Sequence, residues 1–286
     1  MNARKITVLF LLLIGTGRAV AQISATTGST VRTVRKTSAN RKGSVFAYWG
    51  WNRGAYTNST LKIKGADYDL TLHKLKAKDR PSDVSLYNYL RADRITIPQT
   101  NLRVGYYLKD NLAITVGIDH MKYVMAQNQV ARVTGVVEHE GKYKNVYNGN
   151  MVIADDFLKF EHTDGLNYVN VELEKLGNIY KSPDEKVHIG YLYGGGVGIM
   201  VPRTNTTFLD YDRNDRFHLS GFGTSVKGGI QITLLRKLSF RFETKAGYIN
   251  MPDIVLHKKG IKGKGKQDFV YAQANAMIGA VYNFNW

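Results

Sequence analysis

The sequence predicts an all-β chain, an eight-stranded antiparallel up-and-down transmembrane β-barrel with long outer loops. Three observations predict it. Segments with a side-chain period of two recur along the 286 residues. The polar faces of these segments carry small residues rather than rows of long charged ones. The connections between them alternate short and long. Composition agrees, because 28 Gly and 18 Tyr against only 5 Pro suit strands and turns rather than helices.

Residues 1–21 stand apart. Arg4 and Lys5 precede the apolar run ITVLFLLLIG, and Ala19-Val20-Ala21 matches a small-residue cleavage site, so a secretory signal peptide is expected. Residues 22–43 are small, polar and basic with no apolar period, which predicts a disordered periplasmic arm. No later stretch approaches the roughly 18 apolar residues of a membrane helix. Export then leaves a soluble secreted protein, a periplasmic one, or a barrel in the outer membrane. Zero Cys removes a disulfide framework. Subtracting Arg4, Lys5 and Arg18 from the formal charge of +17 leaves +14. An exported cation of this size favours anionic surfaces such as lipopolysaccharide phosphates, and the export signal argues against nucleic acid.

Residues 44–286 supply the barrel. The first strand, 44–56, is aromatic on both faces. In 99–108, Leu102, Val104, Tyr106 and Leu108 oppose Asn101, Arg103, Gly105 and Tyr107. A tight turn leads to 112–125, where Leu112, Ile114, Val116 and Ile118 oppose Ala113, Thr115, Gly117 and Asp119. The pattern returns in 167–176, 187–201, 218–235, 237–250 and 269–286. A soluble sandwich would show its polar face to water and fill it with long charges. Here that face is mostly Gly, Ser, Thr, Asn and Gln, with isolated charges of both signs. Arg103, Glu172, Lys227, Arg241, Glu243 and Lys245 share the inward parity, and burial in a narrow lumen requires them to pair. The other face is aliphatic with aromatics near its ends, as a lipid-facing band requires.

The short connections, 109–111 and 235–237, and the intermediate 177–186 belong to one end. The long ones, about 57–98, 126–166, 202–217 and 251–268, belong to the other. The extended run 67–75 is assigned to the first outer loop; if it pairs within the wall, a ten-stranded barrel follows. The glycines of YGGGVG (193–198) fall inside a strand, with no following Lys-Ser/Thr and no helix, so they make room for bulky neighbours rather than a phosphate loop.

The chain ends with Tyr282, Phe284 and Trp286 at alternate positions. With LRVGYYLKDNLAITVGIDHMKYVM and FETKAGYINMP, this ending resembles the small outer-membrane β-barrels of the OmpA/OmpX-like group and a family of exported barrel proteins. The resemblance covers 44–286. It implies residence in the bacterial outer membrane, and it implies that Tyr282, Phe284 and Trp286 are read by the barrel-insertion machinery.

Three sets of residues invite chemistry. His218 and Ser220 are two apart on an expected strand and so share a face, placing a base beside a nucleophile. With Phe222 and Val226 they would face lipid. That resembles the lipid A deacylases, which use an outward His-x-Ser with a nearby Glu, although Gly221 follows here where those enzymes have Asn, and Glu243 has lumen parity. The alternative is a strand-end pair at the membrane interface. Glu138-His139-Glu140, Asp155-Asp156, and Glu161-His162 with Asp164 have no fixed metal-ligand spacing and read as solvated loop charge. Lys258, Lys259, Lys262, Lys264 and Lys266 alternate with Gly in the last outer loop, which either lies on lipopolysaccharide phosphates or simply solubilises the loop. No cofactor or metal is expected. The leading expectation is a non-catalytic surface scaffold or interaction protein, with an extracellular or periplasmic protein partner left open. The alternatives are a lipid A-modifying hydrolase at His218 and Ser220, or a small channel.

Overall fold

The computed structural model describes residues 41–82, 99–214, 216–235 and 237–282. The expected signal peptide, residues 22–40 of the arm, and Phe284 and Trp286 lie outside the described residues. The strands, in chain order, are β1 (Val45–Tyr56), β2 (Ser59–Gly65), β3 (Tyr68–Leu75), β4 (Ala77–Lys78), β5 (Thr100–Lys109), β6 (Leu112–Met125), β7 (Gln129–Val137), β8 (Asn145–Ile153), β9 (Leu158–Lys181), β10 (Val187–Met200), β11 (Asn205–Phe208), β12 (Gly221–Leu234), β13 (Leu238–Val255) and β14 (Gly263–Tyr282).

Eight of them close a ring in the order β1-β5-β6-β9-β10-β12-β13-β14, sealed by β14 pairing back onto β1 from Val45↔Tyr282 to Tyr56↔Tyr271. Every neighbouring pair in the ring is antiparallel. The β5–β6, β9–β10 and β12–β13 turns are short and share one end with the start of β1 and the end of β14. Just before β1, Gly43 N–H bonds Tyr107 O, and the backbone N–H groups of Arg41 and Lys42 donate to Asp110 Oδ1 at 2.9 and 3.0 Å, fastening the chain to this rim.

Among the described residues, the long connections carry strands of their own. β14 continues past the ring and pairs with β2, from Gly263↔Gly65 to Asp268↔Thr60. Beyond it β2, β3, β7 and β8 follow in order, building a five-stranded antiparallel sheet on the long-loop end. The run 67–75 contains β3. It bonds β2 and β7 rather than the wall, so the barrel keeps eight strands. β9 begins at Leu158 instead of 167, and β11 and β4 add short pairings to β9 and β6.

Two interiors result. Inside the extension, Leu61, Ile63, Leu70, Leu72, Val133, Phe157, Phe160, Phe208 and Met251 belong to one buried apolar cluster. Burying each aliphatic side chain there stabilises by about 1.5–3 kcal/mol. In the ring the polarity is reversed. Val116, Val197 and Val226 point outward and are 58%, 63% and 66% exposed, in a belt with Leu102, Val104, Leu173, Tyr191, Ile199, Ile230 and Phe242. At the short-turn rim, Phe46, Tyr48, Tyr107, Leu176, Leu192 and Met277 cap the lumen from below. Gly196 shows why small residues face inward, since a Cβ there would meet Val171 O at 2.2 Å and Glu172 Cγ at 2.7 Å.

Candidate functional site

The lumen holds a closed electrostatic plug. Alternation on β5, β6, β9, β12 and β13 brings the side chains of Arg103, Asp119, Glu172, Glu174, Lys227, Arg241, Glu243 and Lys245 together, all fully buried. Arg103 Nη2 lies 2.5 Å from Asp119 Oδ1, and Lys245 Nζ bridges Asp119 at 2.7 Å and Glu172 at 2.5 Å. Lys227 Nζ bridges Glu172 at 2.6 Å and Glu174 at 2.5 Å. Arg241 reaches Glu174 at 2.9 Å and stacks over the Tyr48 ring at 4.1 Å. Glu243 is held more loosely, 3.5 Å from Arg241 and 3.8 Å from Lys227. Four cations face four carboxylates, so the plug is formally neutral, as charges withdrawn from water must be. The six residues singled out by parity are all in it. Asp119 and Glu174 complete it, and both carried the same inward parity in the sequence.

With its interior filled by side chains and its apolar belt turned outward, the ring cannot be a soluble sandwich. The chain is an eight-stranded transmembrane barrel. This is the architecture expected of the small-barrel group that its sequence resembles. Among solved structures it is similar to the outer membrane protein OprG from Pseudomonas aeruginosa, with 12% identity, a TM-score of 0.44, and coverage of 86% of this chain and 99% of that one. It is also similar to Ail, the attachment invasion locus protein of Yersinia pestis, at 10% identity, a TM-score of 0.35 and coverage of 84% and 99%. A third is Neisserial surface protein A, at 7% identity, a TM-score of 0.31 and coverage of 81% and 95%. No family model and no curated protein matches the chain.

The barrel's His-x-Ser pair is not arranged as base and nucleophile. β12 starts at Gly221, so 218–220 lie outside it, and the parity expected from Phe222 does not carry back to them. Ser220 is buried, 2% exposed, instead of facing lipid. Its hydroxyl donates to the His218 carbonyl at 3.3 Å. The His218 ring turns to Asp253, with Nε2 2.9 Å from Oδ2.

The lysines form a face. Lys264 and Lys266 sit on β14 with outward parity, directly opposite Lys64 and Lys62 on β2. All four are exposed. Lys64 pairs with Asp69 at 2.6 Å, and Lys264 with Asp253. Lys62 and Lys266 have no partner among the described residues. Lys258, Lys259 and Lys262 lie in the turn leading into β14. Lys62 and Lys64, which double this basic patch, were missed by a reading confined to the last loop. Only the β14–β2 pairing brings them there, and alternation within 59–65 was the available signal.

The acidic/His clusters are not simply solvated: Glu161 meets Arg80, Asp164 meets Arg203, and His162 is buried with its Nδ1 2.9 Å from Thr204 Oγ1. His139 lies between two carboxylates, Nδ1 2.5 Å from Asp67 Oδ2 and Nε2 2.7 Å from Asp210 Oδ1. Tyr211 O–H donates to both Asp67 oxygens at 2.6 Å. Hydrogen bonding to Asp67, with Asp210 adding to it, raises the His139 pKa above the ordinary imidazole value. Burial pushes Asp67 up, but the hydrogen bonds from Tyr211 and His139 outweigh it and leave its pKa lowered. Both ring nitrogens are thus committed to carboxylates, an arrangement for a proton rather than a metal. Tyr282 pairs with Val45 at the short-turn rim and is 60% exposed.

Proposed function

We propose that the protein is a non-catalytic barrel of the bacterial outer membrane. In this reading it anchors a rigid β-extension at the cell surface and rests its lysine face on the phosphates of neighbouring lipopolysaccharide. The outward row of β14 carries this reading. From Tyr282 through Ile278, Ala276, Ala274 and Ala272 to Val270 the row is apolar; then come Asp268, Lys266 and Lys264. Lys266 lies four residues beyond Val270, about 13 Å along the strand. The ammonium groups therefore stand at headgroup depth on the same side as the lipid belt. Like charges directly opposite on paired strands repel, so Lys266 against Lys62, neither with a partner among the described residues, favours an anion between them. Export through the expected signal peptide, the insertion machinery reading the chain's end, and a protein partner on the extension belong to the same reading.

The test is retention of lipopolysaccharide by the full-length barrel, refolded in bilayers that contain it and then extracted into mild detergent. Retention should fall severalfold in K62Q/K64Q/K264Q/K266Q and with added salt. Equal retention by wild type and variant at all salt concentrations would refute the contact. Two further measurements check the rest. Lipid A from cells expressing the protein should keep its acyl pattern by mass spectrometry, because His218 does not engage Ser220. Planar bilayers should show no steady conductance, because the plug fills the lumen.

A further inference from the structure

Beside the flat lysine face the outer rim has a concavity of about 440 Å³ between the turn leading into β14, the β2–β3 turn and Arg216. Its charged lining is Lys64, Arg216, Lys258, Lys259, Lys262 and Lys264, with no carboxylate among the described residues. Three of these cations are neutralised from outside the concavity: Lys64 by Asp69, Lys258 by Asp212 at 3.5 Å, and Lys264 by Asp253. Arg216, Lys259 and Lys262 have no partner among the described residues. One wall is His257, which is buried and packs so closely on Gly263 that a Cβ there would lie 2.1 Å from its ring. The His257 Nε2 is 2.6 Å from the Tyr68 hydroxyl, and its Nδ1 is buried without a partner. Burial lowers the His257 pKa to about 4, so the ring is neutral at neutral pH. The ring thus closes this wall of the concavity without adding charge to it.

We infer that this cleft is a binding site for a phosphorylated sugar bearing more than one phosphate. The volume falls in the range of roughly 300–1,000 Å³ that takes small molecules rather than polymers. Three uncompensated cations around it call for a dense anion, and Arg216 adds a fork that suits phosphate oxygens. The inference rests on the lipopolysaccharide reading only in sharing Lys64 and Lys264 with the flat face. The same chemistry comes from a lipid-borne sugar headgroup or from a soluble sugar phosphate.

The experiment titrates glucose 1,6-bisphosphate into the full-length protein folded in non-ionic detergent, followed by calorimetry. One saturable site is expected, with glucose itself inert and inorganic phosphate weaker. K259Q/K262Q should weaken the bisphosphate by about tenfold or more per lysine, the worth of one charge-assisted hydrogen bond. K62Q/K266Q, outside the cleft, should leave bisphosphate affinity unchanged while losing lipopolysaccharide retention, so failure of either site is visible without the other. Protein preloaded with lipopolysaccharide separates the sources. Competition with the bisphosphate marks a headgroup ligand, absence of competition marks a soluble one, and either keeps the site. No saturable binding, or equal affinity in K259Q/K262Q, overturns it.

Discussion

The chain builds two interiors of opposite polarity, one directly above the other. In the ring, charge is inside and hydrocarbon outside; in the extension, Leu61, Leu72, Val133 and Phe208 are inside while Lys62, Lys64 and Arg132 are outside. β14 crosses between them without changing parity. Its odd-numbered side chains point inward throughout, running from Gln267 and Phe269 through Tyr271 to Gln273 and Asn275, while the even-numbered row changes from Lys264 and Lys266 to Val270 and Ile278. Strand geometry thus fixes which residues face in, and the medium outside fixes what they must be. In lipid the outward row must be apolar and polar side chains turn inward; in water the outward row is free to carry charge.

Breaking the polar interior should have the largest effect. Glu172 touches Arg103, Lys227 and Lys245. Glu172→Gln strands buried cations and should destabilise the barrel by about 3–5 kcal/mol in urea titrations of the detergent-folded protein. In the apolar interior, Leu72→Ala should cost about 2–5 kcal/mol in the extension. Proteolysis should then cut the extension while the ring stays protected. If Leu72→Ala opens both regions together, the two interiors fold as one unit and the contrast drawn here dissolves. Reversing the belt with Val226→Lys should cost about 2–4 kcal/mol in lipid if the site lies near the bilayer midplane. The same change at Val130, exposed on β7 of the extension, should be near neutral.

The smallest expected effect is a pH dependence confined to the extension. The His139 pKa is raised in the folded state, so its two carboxylate bonds stabilise fully below the ordinary imidazole value. That contribution is lost as pH rises through the raised one. Asp67 is lowered, so its contribution is lost only as pH falls through that depressed value. Backbone amide exchange, corrected for its intrinsic pH dependence, should quicken in 138–144 and 209–212 between about pH 6 and about pH 9. His139→Gln should abolish the change, and equal protection across the range would show that the Asp67–His139–Asp210 bridge holds nothing.

Much of the barrel was legible in the sequence because alternation is strict in it. Leu102 to Leu108 against Arg103, and Phe240 and Phe242 against Arg241 and Glu243, gave strand, phase and lumen residues together. The partners across the lumen were harder to see. Lys245 on β13 meets Asp119 on β6, strands that are not neighbours in the ring, and a one-dimensional period carries no information on such pairs. The extension was hidden for a different reason. Leu61, Ile63, Leu70 and Leu72 alternate as barrel residues do, and a period of two does not say which side is wet. Ser220 is buried instead of facing lipid because parity holds only along regular strand, and β12 begins after it.

β14 runs unbroken through its 20 residues, about 65 Å, from the short-turn rim into the extension. It is bonded on both flanks along nearly its whole course, by β13 throughout and by β1 and then β2 on the other side. A tug on the extension is therefore delivered lengthwise to a strand clamped between neighbours. Its ladder resists in shear, many bonds at once, instead of unzipping one by one, and traction on the tip becomes traction on the whole membrane anchor.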